Sequence, residues 1–147
     1  TGDDFIAGNA GADILYGGDG DDTINGNEFA DVLYGGADDD VLNGGSGLDA
    51  LFGGGGEDVL NGGASSDQLT GGGGADTFEF TVTGGIDRIT DWQDGTDVLD
   101  FTADGLGFGD FAVSTFGGGA GAKIVGGGYV VFFEGTATTD IDATDFL

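Results

Sequence analysis

Gly35-Gly36-Ala37-Asp38-Asp39-Asp40-Val41-Leu42-Asn43 runs straight into Gly44-Gly45-Ser46-Gly47-Leu48-Asp49-Ala50-Leu51-Phe52, and that into Gly53-Gly54-Gly55-Gly56-Glu57-Asp58-Val59-Leu60-Asn61. Three consecutive nonapeptides set glycine, aspartate and an apolar residue at the same offsets. Working outward, the frame holds in both directions from Gly8 to Glu79, and Gly2 to Ala7 is the tail of one more unit. Aspartate recurs at Asp4, Asp13, Asp22, Asp31, Asp40, Asp49, Asp58, Asp67 and Asp76. Two places after each stands Ile6, Leu15, Ile24, Leu33, Leu42, Leu51, Leu60, Leu69 or Phe78. A short fixed period of this kind is the mark of a stacked-coil protein, in which each unit buries its apolar face only against its neighbours.

Each unit reads as a glycine turn followed by a very short strand. The glycines permit positive φ and close backbone approach. The three residues after the aspartate, such as Val41-Leu42-Asn43, have strand character with the middle one pointing inward. Two units close one coil, so equivalent positions recur every second unit and coils stack roughly 4.8 Å apart. The expected fold is all-β, a parallel β-roll in which two facing ladders of Leu and Ile make a thin core. Asp4, Asp22, Asp40, Asp58 and Asp76 then fall on one edge, and Asp13, Asp31, Asp49 and Asp67 on the other. Two unit charges about 5 Å apart repel by roughly 0.8 kcal/mol in water and by several times more beside a low-dielectric wall. Summed along two rows, this rivals the roughly 5–15 kcal/mol net stability of a domain. A hard divalent cation between turns removes the repulsion. Carboxylates with backbone carbonyls form the all-oxygen shell that suits calcium, whereas magnesium demands a stricter octahedron and dehydrates reluctantly.

Composition points the same way. The chain of 147 residues carries 28 acidic and 2 basic residues, a formal charge of -26, and no His, Cys, Pro or Met. Glycine supplies 36 residues, several times ordinary usage. High charge with abundant glycine suggests disorder. Yet 38% of residues are hydrophobic and 11% aromatic, enough for a core once the charge is neutralised. Without His or Cys there is no Ser-His-Asp or Cys-His nucleophile, no imidazole or thiolate zinc site and no disulfide. Two cations exclude a phosphate-backbone interface, so nucleic acid is not a partner. Acidic lipid surfaces repel the chain, and no apolar run of about 18 residues spans a membrane. The start at Thr1 has no basic n-region and reads as a cut inside a longer protein rather than a signal peptide.

The unit Gly17-Gly18-Asp19-Gly20-Asp21-Asp22-Thr23-Ile24-Asn25 resembles the RTX (repeat-in-toxin, hemolysin-type) calcium nonapeptide of parallel β-helices. The resemblance covers residues 2–79. It implies a two-sided right-handed parallel β-roll with calcium between adjacent turns on each edge. The nine repeating aspartates would bind together with turn carbonyls, at Gly17 and Asp19, Gly35 and Ala37, Gly44 and Ser46, or Gly53 and Gly55. Roughly seven or eight Ca²⁺ ions would bring the net charge of -26 to roughly -10. Asn9 and Asn27 replace the second glycine, and Asn tolerates the left-handed region. Phe29, Asp38 and Ser65 replace the fourth, and the loops around Phe29 and Ser65 are expected to be strained or under-occupied.

After Glu79 the nonapeptides stop. Strand-like runs follow at 78–82, 86–92, 97–101, 111–116, 123–125 and 129–134. Lys123-Ile124-Val125, Gly126-Gly127-Gly128 and Tyr129-Val130-Val131-Phe132 read as a hairpin. We therefore expect a calcium-binding β-roll over 1–79 and a C-terminal antiparallel β cap over 80–147, since a solenoid needs its last coil covered. Gly85-Ile86-Asp87-Arg88-Ile89-Thr90-Asp91-Trp92 and Gly95-Thr96-Asp97-Val98-Leu99-Asp100-Phe101 resemble the segment after the repeats in serralysin-type proteases and alginate epimerase R-modules. That likeness makes Asp87, Asp91 and Asp97 candidate ligands for the last ions; solvated turn aspartates is the alternative. Asp145-Phe146-Leu147 resembles a type I secretion signal, or else it is a last strand packing Phe146 into the cap.

Outward positions flank each inward residue. One face carries an aromatic stripe, Tyr16-Tyr34-Phe52, and the other an Asn ladder. Stacking between sheet neighbours accounts for the stripe; a docking face or a sugar-stacking platform is the alternative. Arg88 and Lys123 are expected to pair with carboxylates, with Arg88 otherwise able to clamp an acidic sugar. The functional expectation is a non-catalytic, calcium-binding module of a larger secreted bacterial enzyme or toxin. It folds on calcium outside the cell, its partners being an upstream catalytic or toxin domain and the type I secretion machinery. The alternative is a polysaccharide-binding module accessory to an alginate epimerase-like enzyme.

Overall fold

Each nonapeptide folds as a strand and a short turn in the computed structural model, which describes residues 1–81, 85–93, 95–116, 121–135 and 141–147. The strands are β1 (Phe5–Ala10), β2 (Ile14–Asp19), β3 (Thr23–Glu28), β4 (Val32–Ala37), β5 (Val41–Ser46), β6 (Ala50–Gly55), β7 (Val59–Ala64), β8 (Gln68–Gly73) and the shorter β9 (Thr77–Glu79). All but β9 are longer than the sequence led us to expect. The Gly-Gly-X that begins each turn still pairs in register with the same residues of the next coil, as Gly36 does with Gly18 and Gly54. A bend repeated in every coil leaves the backbone ladder unbroken.

Pairing is parallel between every second unit, Ile24 with Leu42 and Leu33 with Leu51. Odd strands therefore stack on one side and even strands on the other. The first sheet has the order β1-β3-β5-β7-β9-β11, where β11 is Val98–Asp100. The second runs β2-β4-β6-β8-β10 (Asp87–Ile89) and then continues into β14 (Tyr129–Glu134), β13 (Gly121–Gly126) and β12 (Phe111–Phe116). The parallel coil thus extends beyond Glu79, but it lengthens. Leu69 pairs with Ile89 where the strict period would bring Asp87, and Phe78 pairs with Leu99 where it would bring Thr96. The nonapeptide period is lost there because the turns take up extra residues, not because the sheets end.

Inward residues Ile24, Leu33, Leu42, Leu51, Leu60, Leu69, Phe78, Ile89 and Leu99 are wholly buried. Each such burial stabilises by roughly 1.5–3 kcal/mol. Ile6 and Leu15, on the end strands β1 and β2, are half-buried. At the other end the ladder passes into an aromatic core. Phe101 stacks on Phe80 at 4.6 Å and meets Phe111 at 4.5 Å, Tyr129 at 5.1 Å and Phe146 at 5.9 Å. Trp92 sits edge-on to Phe133 at 5.3 Å.

The cap expectation holds in kind. β13 and β14 form an antiparallel hairpin closed by Gly127 and Gly128, both at positive φ (57° and 99°) as a tight turn of the I′ type requires. β12 adds to it antiparallel, while β14 joins β10 in parallel. Phe146 packs into the aromatic core, and Leu147 N–H donates to the Leu99 carbonyl at 3.1 Å. Val82, the end of one expected strand run, and residues 136–140 lie outside the described residues.

Candidate metal centres along the two edges

Stacking brings the repeating aspartates into two rows, one per edge, and gives their two carboxylate oxygens opposite situations. From Asp22 to Asp76, Oδ1 is satisfied by the backbone of the preceding coil. In one row Asp22 Oδ1 accepts from Asp4 N–H at 2.7 Å, Asp40 from Asp22 at 2.8 Å, Asp58 from Asp40 at 2.9 Å and Asp76 from Asp58 at 3.1 Å. In the other, Asp31 accepts from Asp13 at 2.7 Å, Asp49 from Asp31 at 2.8 Å and Asp67 from Asp49 at 2.9 Å. Oδ2 has no partner. In Asp13, Asp22, Asp31, Asp40, Asp49, Asp58, Asp67 and Asp76 it is buried and makes no hydrogen bond. An unpaired buried carboxylate oxygen is among the costliest groups a fold can hold.

Those oxygens share a consistent neighbour. Oδ2 of each aspartate crowds the first glycine of its own turn, and in most turns so does the carbonyl oxygen of the equivalent glycine one coil on. A Cβ at Gly44 would lie 2.6 Å from both Asp49 Oδ2 and the Gly62 carbonyl oxygen. Gly17 stands likewise between Asp22 Oδ2 and the Gly35 carbonyl, and Gly35 between Asp40 Oδ2 and the Gly53 carbonyl. The first position is glycine in every full unit for lack of space. The second is Gly or Asn for backbone reasons, with φ of 124° at Gly18 and 81° at Asn27. Carboxylate and carbonyl oxygens converge between successive turns, the donor chemistry of a hard divalent cation. Among the described residues no three acidic side chains gather at one point. Backbone carbonyls therefore complete any shell here.

Burial is the main cause of a raised carboxyl pKa in both rows. It pushes Asp67 up to about 7 and Asp58 to about 6, and raises Asp40, Asp49 and Asp76. The backbone bond to Oδ1 pulls the other way, and neighbouring acids add to the rise. Asp58 feels Asp76, Asp40 and Asp39, and Asp40 feels Asp22, Asp21 and Asp38. Asp49 feels Asp31 of its own row.

The three later candidates divide. Asp87 and Asp97 occupy the row positions of the lengthened coils. Asp87 Oδ1 accepts from Asp67 N–H at 3.0 Å, and Asp97 Oδ1 from Asp76 N–H at 3.2 Å. Burial lifts both to about 6. Their signal was present as Asp87-Arg88-Ile89 and Asp97-Val98-Leu99, the same acid-x-apolar triplet as Asp67-Gln68-Leu69. Asp97 Oδ2, unlike the repeating ones, accepts from Gln93 N–H at 2.8 Å. Asp91 stands outside the rows. Its oxygens accept from Gly71 N–H at 3.0 Å and Gly72 N–H at 2.7 Å, covering the exposed backbone of the last regular turn. At the other end Asp4 is exposed and Asp13 half-buried.

The five residues that replace glycine at the second and fourth turn positions all take positive φ: Asn9 70°, Asn27 81°, Phe29 76°, Asp38 75° and Ser65 92°. Asn and Asp tolerate this. For Phe29 and Ser65 it costs roughly 1–2 kcal/mol each, which is the strain the sequence led us to expect. On the outer faces Tyr16 and Tyr34 stack at 4.9 Å and 6°, and Tyr34 and Phe52 at 5.0 Å and 10°. The rings cover one another's faces, so ladder stacking explains the stripe. Asn25, Asn43 and Asn61 align across β3, β5 and β7, and Asn61 Nδ2 donates to Glu79 Oε2 at 3.2 Å and Thr81 Oγ1 at 2.9 Å. Arg88 pairs with Glu134 at 2.6 Å, half-exposed. Lys123 lies between Ser114 and Phe132 in the hairpin sheet.

With this geometry in hand, comparison with known proteins is specific. The RTX calcium-binding nonapeptide repeat family matches four times, over residues 1–33, 16–51, 25–60 and 44–78. No curated protein sequence gives a significant match. Among solved structures, the R3 subunit of the mannuronan C5-epimerase AlgE6 from Azotobacter vinelandii is 32% identical, with a TM-score of 0.70 over 83% of this chain and 80% of that one. The R2 subunit of the same enzyme is 30% identical, with a TM-score of 0.66 over 84% of this chain and 91% of that one. The chain belongs to the RTX calcium-binding repeat family.

Proposed function

We propose that this chain is a calcium-dependent folding module of a larger secreted bacterial protein, and that the repeating aspartates are its ligands. The observation that carries this is the set of buried, unpartnered Oδ2 atoms from Asp13 to Asp76, each turned toward carbonyl oxygens or glycine backbone between two coils. A bound Ca²⁺ supplies two positive charges and accepts those lone pairs. Carbonyls of the turns at 17–19, 35–37, 44–46 and 53–55 complete the shells, for roughly seven or eight ions in all. Asp87 and Asp97 extend the two rows, and Asp91 closes the last regular turn.

The mechanism is linkage. Ions that bind the folded rows and not the unfolded chain stabilise the fold increasingly as their concentration rises. At low cytosolic calcium the rows repel and the repeats stay open, a state suited to export through a narrow channel. Extracellular modules bind with dissociation constants of roughly 10⁻⁴–10⁻³ M, so the repeats would close once outside. A catalytic or toxin domain would be carried upstream, and this module itself would be non-catalytic. A far-UV circular dichroism titration from chelated protein tests the reading. A coil-to-β transition with calcium and none with magnesium is expected. A β spectrum the same in chelator as in calcium would count against it.

The similarity to epimerase R-modules favours a second reading, an accessory that holds an acidic polysaccharide of the mannuronan kind. Arg88 and the outward ring face of Tyr16 are its candidate contacts. Saturable binding of oligomannuronate to the calcium-loaded protein, lost in Arg88→Gln, is the expected result; no binding in calcium would remove this reading and leave the first intact.

A further inference from the structure

The two edges share the same inner aspartates but differ outside them. On the edge of turns 17–22, 35–40, 53–58 and 71–76, the place before the inner aspartate holds Asp21, Asp39, Glu57 and, in the last turn, Ala75, with Asp3 before Asp4 and with Asp19 and Asp38 alongside; these acids are all exposed. On the edge of turns 8–13, 26–31, 44–49 and 62–67 the same place holds Ala12, Ala30, Leu48 and Ser66, and Glu28 is the one exposed outer acid of those turns. The outer carboxylates of the first edge are fixed in position. Asp3 Oδ1 accepts from Asp21 N–H at 3.2 Å, Asp21 Oδ1 from Asp39 N–H at 3.1 Å and Asp39 Oδ1 from Glu57 N–H at 2.7 Å. Each lies next in the chain to an inner aspartate, Asp21 beside Asp22, Asp39 beside Asp40 and Glu57 beside Asp58. Added negative charge beside a carboxylate site attracts a dication more strongly.

Backbone conformation separates the edges independently. Among the described residues, four of the five left-handed non-glycine positions, Asn9, Asn27, Phe29 and Ser65, lie on the neutral edge. The fifth, Asp38, is on the acidic edge, where its Oδ2 accepts from Gly20 N–H at 3.2 Å. Turns that must hold Phe29 and Ser65 in a disfavoured conformation present their carbonyls at a cost.

We propose that the two edges are two classes of calcium site, the edge bearing Asp3, Asp21, Asp39 and Glu57 loading first and the edge bearing Phe29, Leu48 and Ser65 loading last. This rests on the reading of the repeats as calcium sites. The ordering means that a half-loaded stack has one edge closed while the other still carries its row of charge. The gap between the classes narrows with ionic strength, because the outer carboxylates are exposed and therefore screened.

Isothermal titration of the intact chain with calcium alone, at low and at high salt, tests it. Wild type should show two classes of site. Asp21→Asn/Asp39→Asn/Glu57→Gln should weaken the tighter class by about tenfold at low salt, less at high salt, and leave the weaker class in place. Phe29→Gly/Ser65→Gly should tighten the weaker class severalfold and leave the tighter one unchanged. The two variants alter opposite edges, so a folding failure in one leaves the other decisive. Saturable binding with a single class of site in all three proteins would overturn the proposal while sparing the functional reading, as would both variants moving the same class. No calcium binding at all would overturn both.

Discussion

Leu42 in the repeats and Phe101 beyond them are both wholly buried, yet their surroundings are stabilised in different ways. Around Leu42 the core is one aliphatic residue thick on each side, and the flanking rows of aspartate keep Oδ2 buried and unpaired. Around Phe101 four aromatic rings converge within 5.9 Å. There Tyr129 OH donates to Asp104 Oδ2 at 2.7 Å, Asp97 accepts at both oxygens, and Arg88 is held by Glu134. These groups of the C-terminal segment find partners within the chain. The repeats are built with a deficit of positive charge that their residues cannot supply. A solenoid can therefore be well packed and still need its ions, because packing and charge balance are separate requirements.

The largest effect that sharpens this contrast comes from the ladder. Leu60→Ala removes a buried side chain from a core with no second layer, and we expect a loss of roughly 2–5 kcal/mol, read as a lower urea midpoint in calcium. The partial exposure of Leu15 makes Leu15→Ala the milder control.

Next come two carboxylates of unlike kind. Asp58→Asn keeps an acceptor for Asp40 N–H and removes a buried charge. Calcium affinity should fall, while the β content in chelator should hold or rise. Asp91→Asn removes one of two acceptors from Gly71 and Gly72 N–H. It should cost about 1–3 kcal/mol in calcium, measured by denaturant unfolding, and leave the residual β content in chelator unchanged. Identical responses of the two variants would erase the distinction between row and cap.

Acidity provides a smaller test. The folded pKa values of Asp67, near 7, and of Asp58, Asp87 and Asp97, near 6, lie above the unfolded carboxyl value near 4. Raised values mean that the folded, metal-free chain binds these protons more tightly than the unfolded chain does. Their stabilising contribution is complete below about pH 4 and is lost as pH rises through 6 to 7. Chelated protein should therefore gain β structure on acidification from about pH 7 to pH 5. In the same window protons compete with calcium, and the calcium midpoint should move upward.

Much of this was legible in the chain. The aspartate-x-apolar triplet set both rows and both ladders, because a coil of two identical-length units leaves no freedom in register. The substitutions Asn9, Asn27, Phe29, Asp38 and Ser65 marked every left-handed non-glycine position among the described residues, since those turn positions demand positive φ. The structure was needed where the period failed. Asp87 and Asp97 continue the rows only because the coil lengthens, bringing Ile89 onto Leu69 and Leu99 onto Phe78, and no fixed-period reading anticipates an insertion. The separate role of Asp91 depends on which backbone N–H groups the last turn leaves uncovered. The full length of the strands, and the crowding that makes the first glycine obligatory, come from contacts between coils that no single unit contains.

Amide hydrogen exchange, read strand by strand in chelator and in calcium, tests most directly the claim that the repeats need ions and the C-terminal segment does not. The account predicts that amides of β3–β8 exchange freely in chelator and become protected in calcium, while those of β13 and β14 stay protected in both. Equal protection of β3–β8 in the two conditions would contradict it.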